Sequence, residues 1–232
     1  MLSEQDKVDK AVELVKKYVP NLKVTFKSQS RLHRAINKVL TALGNPRYLS
    51  GNWTTIHTWL ARPTMVEDSP HPREWEVILH EGQHAIDSSR LGALPFAFLY
   101  LFPQLLGALC VLAALVLVPF ILTGLSPWFL LVFLGGFLLL PLPAIGRTYY
   151  EFRSFSVSLG VAYWAKNIDD EEFWIDSVTE IFAGKIYYKM WPFKKLTKKW
   201  LQDKLEEYKR GTQLSPYLAD CKKLALEFRE WH

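Results

Sequence analysis

From Leu91 to Gly146 the chain carries no Asp, Glu, Lys, Arg or His, an uncharged run of 56 residues. No feature of the sequence restricts the fold more. Such a run has to be kept from water, by lipid or by other protein. All 28 basic and 23 acidic side chains fall on the remaining 176 residues, an ordinary density for a water-soluble domain. The run exceeds the roughly 20 apolar residues of one membrane span, and Ser126-Pro127 marks a turn within it. The expectation is two crossings, roughly 96–121 and 128–145, forming a transmembrane hairpin. Arg90 precedes the run and Arg147 follows it, while the TGLSPW loop is uncharged. By the bias of basic residues to the cytoplasmic face, both termini lie on that side of an integral membrane protein.

The flanks divide the chain into 1–90, the 91–146 insert and 147–232. Residues 1–90 hold 13 basic and 10 acidic groups, and 147–232 hold 15 and 13. Neither half has the basic excess of a nucleic-acid binder. Cys110 and Cys221 imply no disulfide framework. Helical periodicity marks 4–18, 31–43 and 73–89, with Pro72 suited to the first turn of the last. Strand character marks 21–28 and, as one strand, WTTIHTWLAR at 53–62. Further helices are expected over 148–165 and from about 169 through Phe182 and Ile186. The segment 185–200 interleaves six lysines with aromatics, a pattern that suits either an anionic headgroup surface or a solvated helix packed by its rings.

The chemistry concentrates in VILHEGQHAI, residues 77–86. His80 and His84, four apart, share one face of a helix and can direct ring nitrogens at one ion. Glu81 lies about 100° round from His80 and can take a proton from a water there without being a ligand. With six His and 14 Glu in the chain, His-Glu-x-x-His arises by chance in about one chain in a hundred of this composition. The flanking Val77, Ile78, Leu79, Gln83, Ala85 and Ile86 are uncharged, as a buried metal-bearing helix requires. Gly82, a poor helix former, is expected to leave room beside the metal.

VILHEGQHAI resembles the signature helix of the zincin metallopeptidases, including the apolar Val77 three residues before the first histidine. The resemblance implies Zn2+ held by His80 and His84, Glu81 as general base, and a substrate-binding edge strand earlier in the chain. WTTIHTWLAR stands where that strand would be. The gluzincin branch takes its third ligand from a glutamate on a later helix, which here implies Glu151 in RTYYEFRSFSVSL. If the two feet of the insert are neighbours, Glu151 returns beside the histidine pair although 67 residues separate it from His84 in sequence. Asp87, three after His84, is the rival, as a ligand or as a partner orienting a histidine. Tyr150 is a candidate to steady an oxyanion, and Arg153 a candidate partner for an acid near the site. His57 reads as a plain strand position, His33 as a surface residue and His71 as a loop residue.

The fold class expected is therefore α+β: a mostly helical zincin-like domain with a small sheet, and a two-helix transmembrane hairpin inserted between the signature helix and the third-ligand helix. The function expected is a membrane-anchored zinc metallopeptidase acting on a peptide or protein substrate near the lipid, with its site on the cytoplasmic side. Two alternatives stand beside it. One is a non-catalytic membrane-inserting or virion-associated protein that retains a zinc-binding fold. The other is a metal-free membrane-assembly adaptor. The sequence carries no signal of oligomeric state.

Overall fold

The computed structural model describes residues 2–42, 47–51, 53–67, 71–122, 131–132, 134–135, 138, 142–184 and 190–230. Helix α1, Glu4–Tyr18, is capped by Ser3, whose side chain accepts from the Asp6 amide while Asp6 answers the Ser3 amide. Strand β1, Lys23–Phe26, leads to α2, Arg31–Ala42, and the single turn α3, Tyr48–Gly51. Strands β2, Thr54–Ile56, and β3, Trp59–Arg62, follow. WTTIHTWLAR is thus a tight hairpin and not one strand. The reversal is at His57, whose φ of 53° is left-handed, and the stretch has none of the Gly, Asn or Pro that usually announces a turn. The sheet order is β1-β3-β2, with β1 parallel and β2 antiparallel to β3. β2 is therefore an edge strand.

The chain continues through α4 (Glu74–Leu91), α5 (Ala93–Leu101), α6 (Gln104–Leu122), α7 (Ile145–Trp164), α8 (Glu171–Ala183), α9 (Lys194–Lys209) and α10 (Pro216–Glu230). The α4 N-cap is Arg73 in the left-handed region, so Pro72 precedes the first turn. Glu74 and Glu76 complement the dipole at one end of α4 and Arg90 at the other. Gly92, at φ 94°, closes the helix.

The expected transmembrane hairpin is not what the described residues form. Among them no single helix is long and apolar enough to cross a membrane. α5 and α6 reach the length and apolar composition of a span only when taken together, and they are bent by 89° at the break between them. Pro103 sits in that break and cannot donate the amide that a continuous helix needs there. The sequence pattern measured apolar length and was blind to direction. The TGLSPW turn and half of 128–145 lie outside the described residues, as do Ile186 and the Lys185–Lys189 part of the basic aromatic segment.

Two compact units result. The first comprises residues 1–93, 152–171 and 203–232, and the second 94–151 and 172–202. The chain passes between the units at four points, after the first residue of α5 and of α8, in α7 after Glu151 and in α9 after Gln202. The first unit is organised on α4, which is buried on most of its circumference. Val8, Ala11 and Val15 of α1 form one wall of its core. Tyr217 of α10 donates to the Leu79 carbonyl at 2.7 Å, and Phe228 meets Trp75 edge to face at 4.8 Å. Gly82 belongs to this packing. A Cβ there would lie 2.5 Å from Val15 Cγ2 and 2.6 Å from Tyr217 Oη. The glycine makes room for neighbouring side chains of α1 and α10, which corrects the expectation that it makes room beside a metal. In the second unit, the Ala144 amide and the Thr148 hydroxyl both donate to the Met190 carbonyl.

Candidate metal centre

His80 and His84 project from the same face of α4, as their spacing requires, with ring centroids 5.2 Å apart. Within the first unit α7 packs beside them through Phe155, whose ring lies 4.8 Å from that of His80, and through Ser158. His80 Nδ1 is 3.0 Å from Ser158 Oγ, and that hydroxyl donates to the Ser154 carbonyl at 3.4 Å. Oγ therefore accepts from Nδ1–H, which leaves the lone pair of the ring on Nε2. Both imidazoles are largely buried, with His80 9% exposed and His84 6%.

Glu151 lies one residue before the part of α7 that carries these contacts. His80, His84 and Glu151 form a group that can hold a metal ion, each offering one ligand atom, with all three atoms within 4.8 Å of one another. An ion equidistant from three donors at that outer limit would sit about 2.8 Å from each, against about 2.0–2.2 Å for zinc bonded to imidazole or carboxylate. Rotamer adjustments of under about 1 Å per side chain close that gap. The donor set, two imidazoles and one carboxylate, suits zinc and leaves a fourth position for water or substrate. Tyr100, on α5 of the second unit, donates its hydroxyl to Glu151 Oε1. A phenol in that place fixes the carboxylate's orientation, as partners of metal-ligating carboxylates do.

The Glu81 carboxylate, next in sequence to His80, is reached from the sheet. Its Oε2 accepts from the Thr55 hydroxyl on edge strand β2 at 2.5 Å. Lys27 is fully buried nearby. Its Nζ donates to the Tyr48 carbonyl at 2.9 Å and lies 4.0 Å from the Tyr48 ring centroid. Burial pushes its ammonium down to about 8, and the Glu81 charge opposes that shift.

Asp87 is held elsewhere. Arg153 donates to both of its carboxylate oxygens at 2.9 Å, and Gln83 Nε2 donates to Oδ1 at 2.9 Å. That fork clamps α4 to α7 one turn beyond His84. The Tyr150 ring lies tilted against Phe96 at 4.7 Å and edge to face with Tyr149 at 5.2 Å in an aromatic cluster of the second unit. His57 Nδ1 lies 3.0 Å from Ser88 Oγ, and His71 is exposed. His33 is fully buried, with Nδ1 2.7 Å from Tyr48 Oη, and is not a surface residue. Burial and, secondarily, the Lys27 charge push its imidazole below the usual range. Sequence reasoning missed Thr55, Ser158, Tyr100 and Lys27. Hydroxyls and a buried lysine carry no spacing signature, and only the fold brings Thr55, Ser158 and Lys27 to α4 and Tyr100 to Glu151.

The chain matches no protein-family model, no curated protein and no solved structure.

Proposed function

We propose that this protein is a zinc-dependent peptidase of gluzincin type, with His80, His84 and Glu151 as metal ligands and Glu81 as general base. The observation that carries the reading is the convergence of two imidazoles and a carboxylate within 4.8 Å, with a second carboxylate next in sequence to the first histidine. When bound, zinc supplies Lewis acidity towards a water and a scissile carbonyl. Glu81 accepts the proton that the water loses as its oxygen attacks the carbonyl carbon. It returns that proton to the nitrogen as the C–N bond breaks. The Thr55 hydroxyl steadies Glu81 on the side facing the sheet, and Ser158 keeps the His80 lone pair at Nε2.

The test uses the purified full chain, a fluorescein-labelled casein probe and zinc content by mass spectrometry. The parent should hold about one zinc per chain and release labelled peptides, while Glu81→Gln should keep its zinc and lose hydrolysis. Equal hydrolysis in Glu81→Gln removes the base assignment. Zinc retained with no hydrolysis in either protein favours a non-catalytic zinc fold instead.

A further inference from the structure

The second unit contains an apolar surface that the metal chemistry does not use. On α6, Leu109, Leu112, Leu115 and Phe120 are 51%, 59%, 58% and 57% exposed, and Leu106 and Val116 are exposed beside them. At about 100° per residue these side chains cover roughly half the circumference of the helix. That arc contains no polar side chain, and the surrounding sequence from Leu91 to Gly146 has no charge with which to form a rim. Protein–protein interfaces place an apolar centre within a polar rim. Among the described residues the apolar arc, continued on α5 by exposed Leu94 and Phe98, has no charged side chain on its own two helices, which fits hydrocarbon better than a protein partner.

The geometry also says how far it enters. α5 is about 13 Å long and α6 about 28 Å, against a hydrocarbon core of about 30 Å. With an 89° bend at residues 102–103, the two cannot add their lengths along one bilayer normal. Charge in the same unit suits anionic headgroups. Arg147 follows the uncharged run directly, with exposed Tyr149 two residues on. The start of α9 exposes Lys195 and Lys199 alongside Phe193 and Leu196. We propose that α5 and α6 enter one leaflet of an anionic lipid bilayer as a bent pair and leave on the side they entered. The element is one-sided and does not cross.

The test is flotation of the full chain with preformed vesicles of phosphatidylcholine, with and without phosphatidylglycerol. The protein should float with both, more strongly with phosphatidylglycerol, and equally after zinc is removed by chelation. The last result keeps the lipid contact separate from the metal reading. Leu112→Lys combined with Leu115→Lys changes only exposed positions, so the fold is spared, and it should weaken flotation at least tenfold. Phe120→Cys should take no label, above the background of the parent's own cysteines, from an impermeant thiol reagent trapped inside the vesicles. Label taken from inside would mean a crossing and overturn the one-leaflet proposal. Failure to float would overturn it too. So would lipid-free oligomers that dissociate in the double lysine variant, because the arc would then be an interface between copies of this chain.

Discussion

Replacing Gly82 by alanine sets two known effects against each other. Removing a glycine from a helix interior favours folding by about 1 kcal/mol through propensity. Against that, the new methyl would stand 2.5 Å from Val15 Cγ2, 3.1 Å from Val15 Cγ1 and 2.6 Å from Tyr217 Oη. Val15 is buried and β-branched, with little rotamer freedom to retreat. The Tyr217 hydroxyl can retreat only by giving up its 2.7 Å bond to the Leu79 carbonyl, leaving buried groups unsatisfied at a cost of about 1–3 kcal/mol. Overpacking of this kind costs about 1–3 kcal/mol. The balance is a net loss of about 1–2 kcal/mol, or roughly 2–8 °C in the melting midpoint of a chain this long. Urea titration measures it, with zinc content read on the same preparations. Stability should fall while zinc stoichiometry stays at the parent value, and in a Val15→Ala background the same change should become neutral or favourable. A gain of about 1 kcal/mol in the parent background, or zinc loss at unchanged stability, would refute the packing described for this glycine and return it to the metal.

Thr55→Val removes the hydroxyl that donates to Glu81. Hydrolysis of labelled casein should fall about tenfold or more, the usual consequence of losing a hydrogen bond to a charged group, at constant zinc content; unchanged turnover would mean Thr55 does not position the base. Asp87→Ala deprives Arg153 of its fork, and a loss of about 1–3 kcal/mol in urea unfolding with full zinc binding is expected; loss of zinc without loss of stability would restore Asp87 as a ligand. Lys27 titrates at about 8 in the fold against 10.5 ordinarily. Between those values the unfolded chain holds a proton the native protein has released, so stability rises with pH across that window, by up to about 3 kcal/mol, and below it the cost of the buried ammonium is constant. Lys27→Met should flatten that rise relative to the parent, and parallel stability profiles for the two proteins would contradict the shift.

The helical elements carrying periodic apolar residues were legible in the sequence. α1, α2, α4 and α7 lie close to where their spacing predicts them. The histidine pair was legible for the same reason, since i and i+4 share a face in any helix. What escaped the sequence has physical causes. The β2–β3 reversal runs through a left-handed His57 with no turn residue to announce it. The uncharged run was measured by length, and its right-angle bend at Pro103 is a matter of direction, which composition does not encode. His33 has charged neighbours in sequence yet turns into the protein beside Tyr48 and Trp59. Gly82 is an anomaly in a helix by sequence alone, but its reason lies in two side chains that the sequence places 67 residues before it and 135 after it.

The central claim is that one zinc ion sits among His80, His84 and Glu151. X-ray absorption at the zinc edge of the purified full chain tests it directly, comparing the parent with Glu151→Ala. The account predicts two imidazole nitrogens and oxygen ligands at about 2.0–2.2 Å in the parent, with the carboxylate contribution and most of the affinity lost in the variant. Sulfur in the coordination sphere, or a spectrum and affinity untouched by removing Glu151, would contradict it.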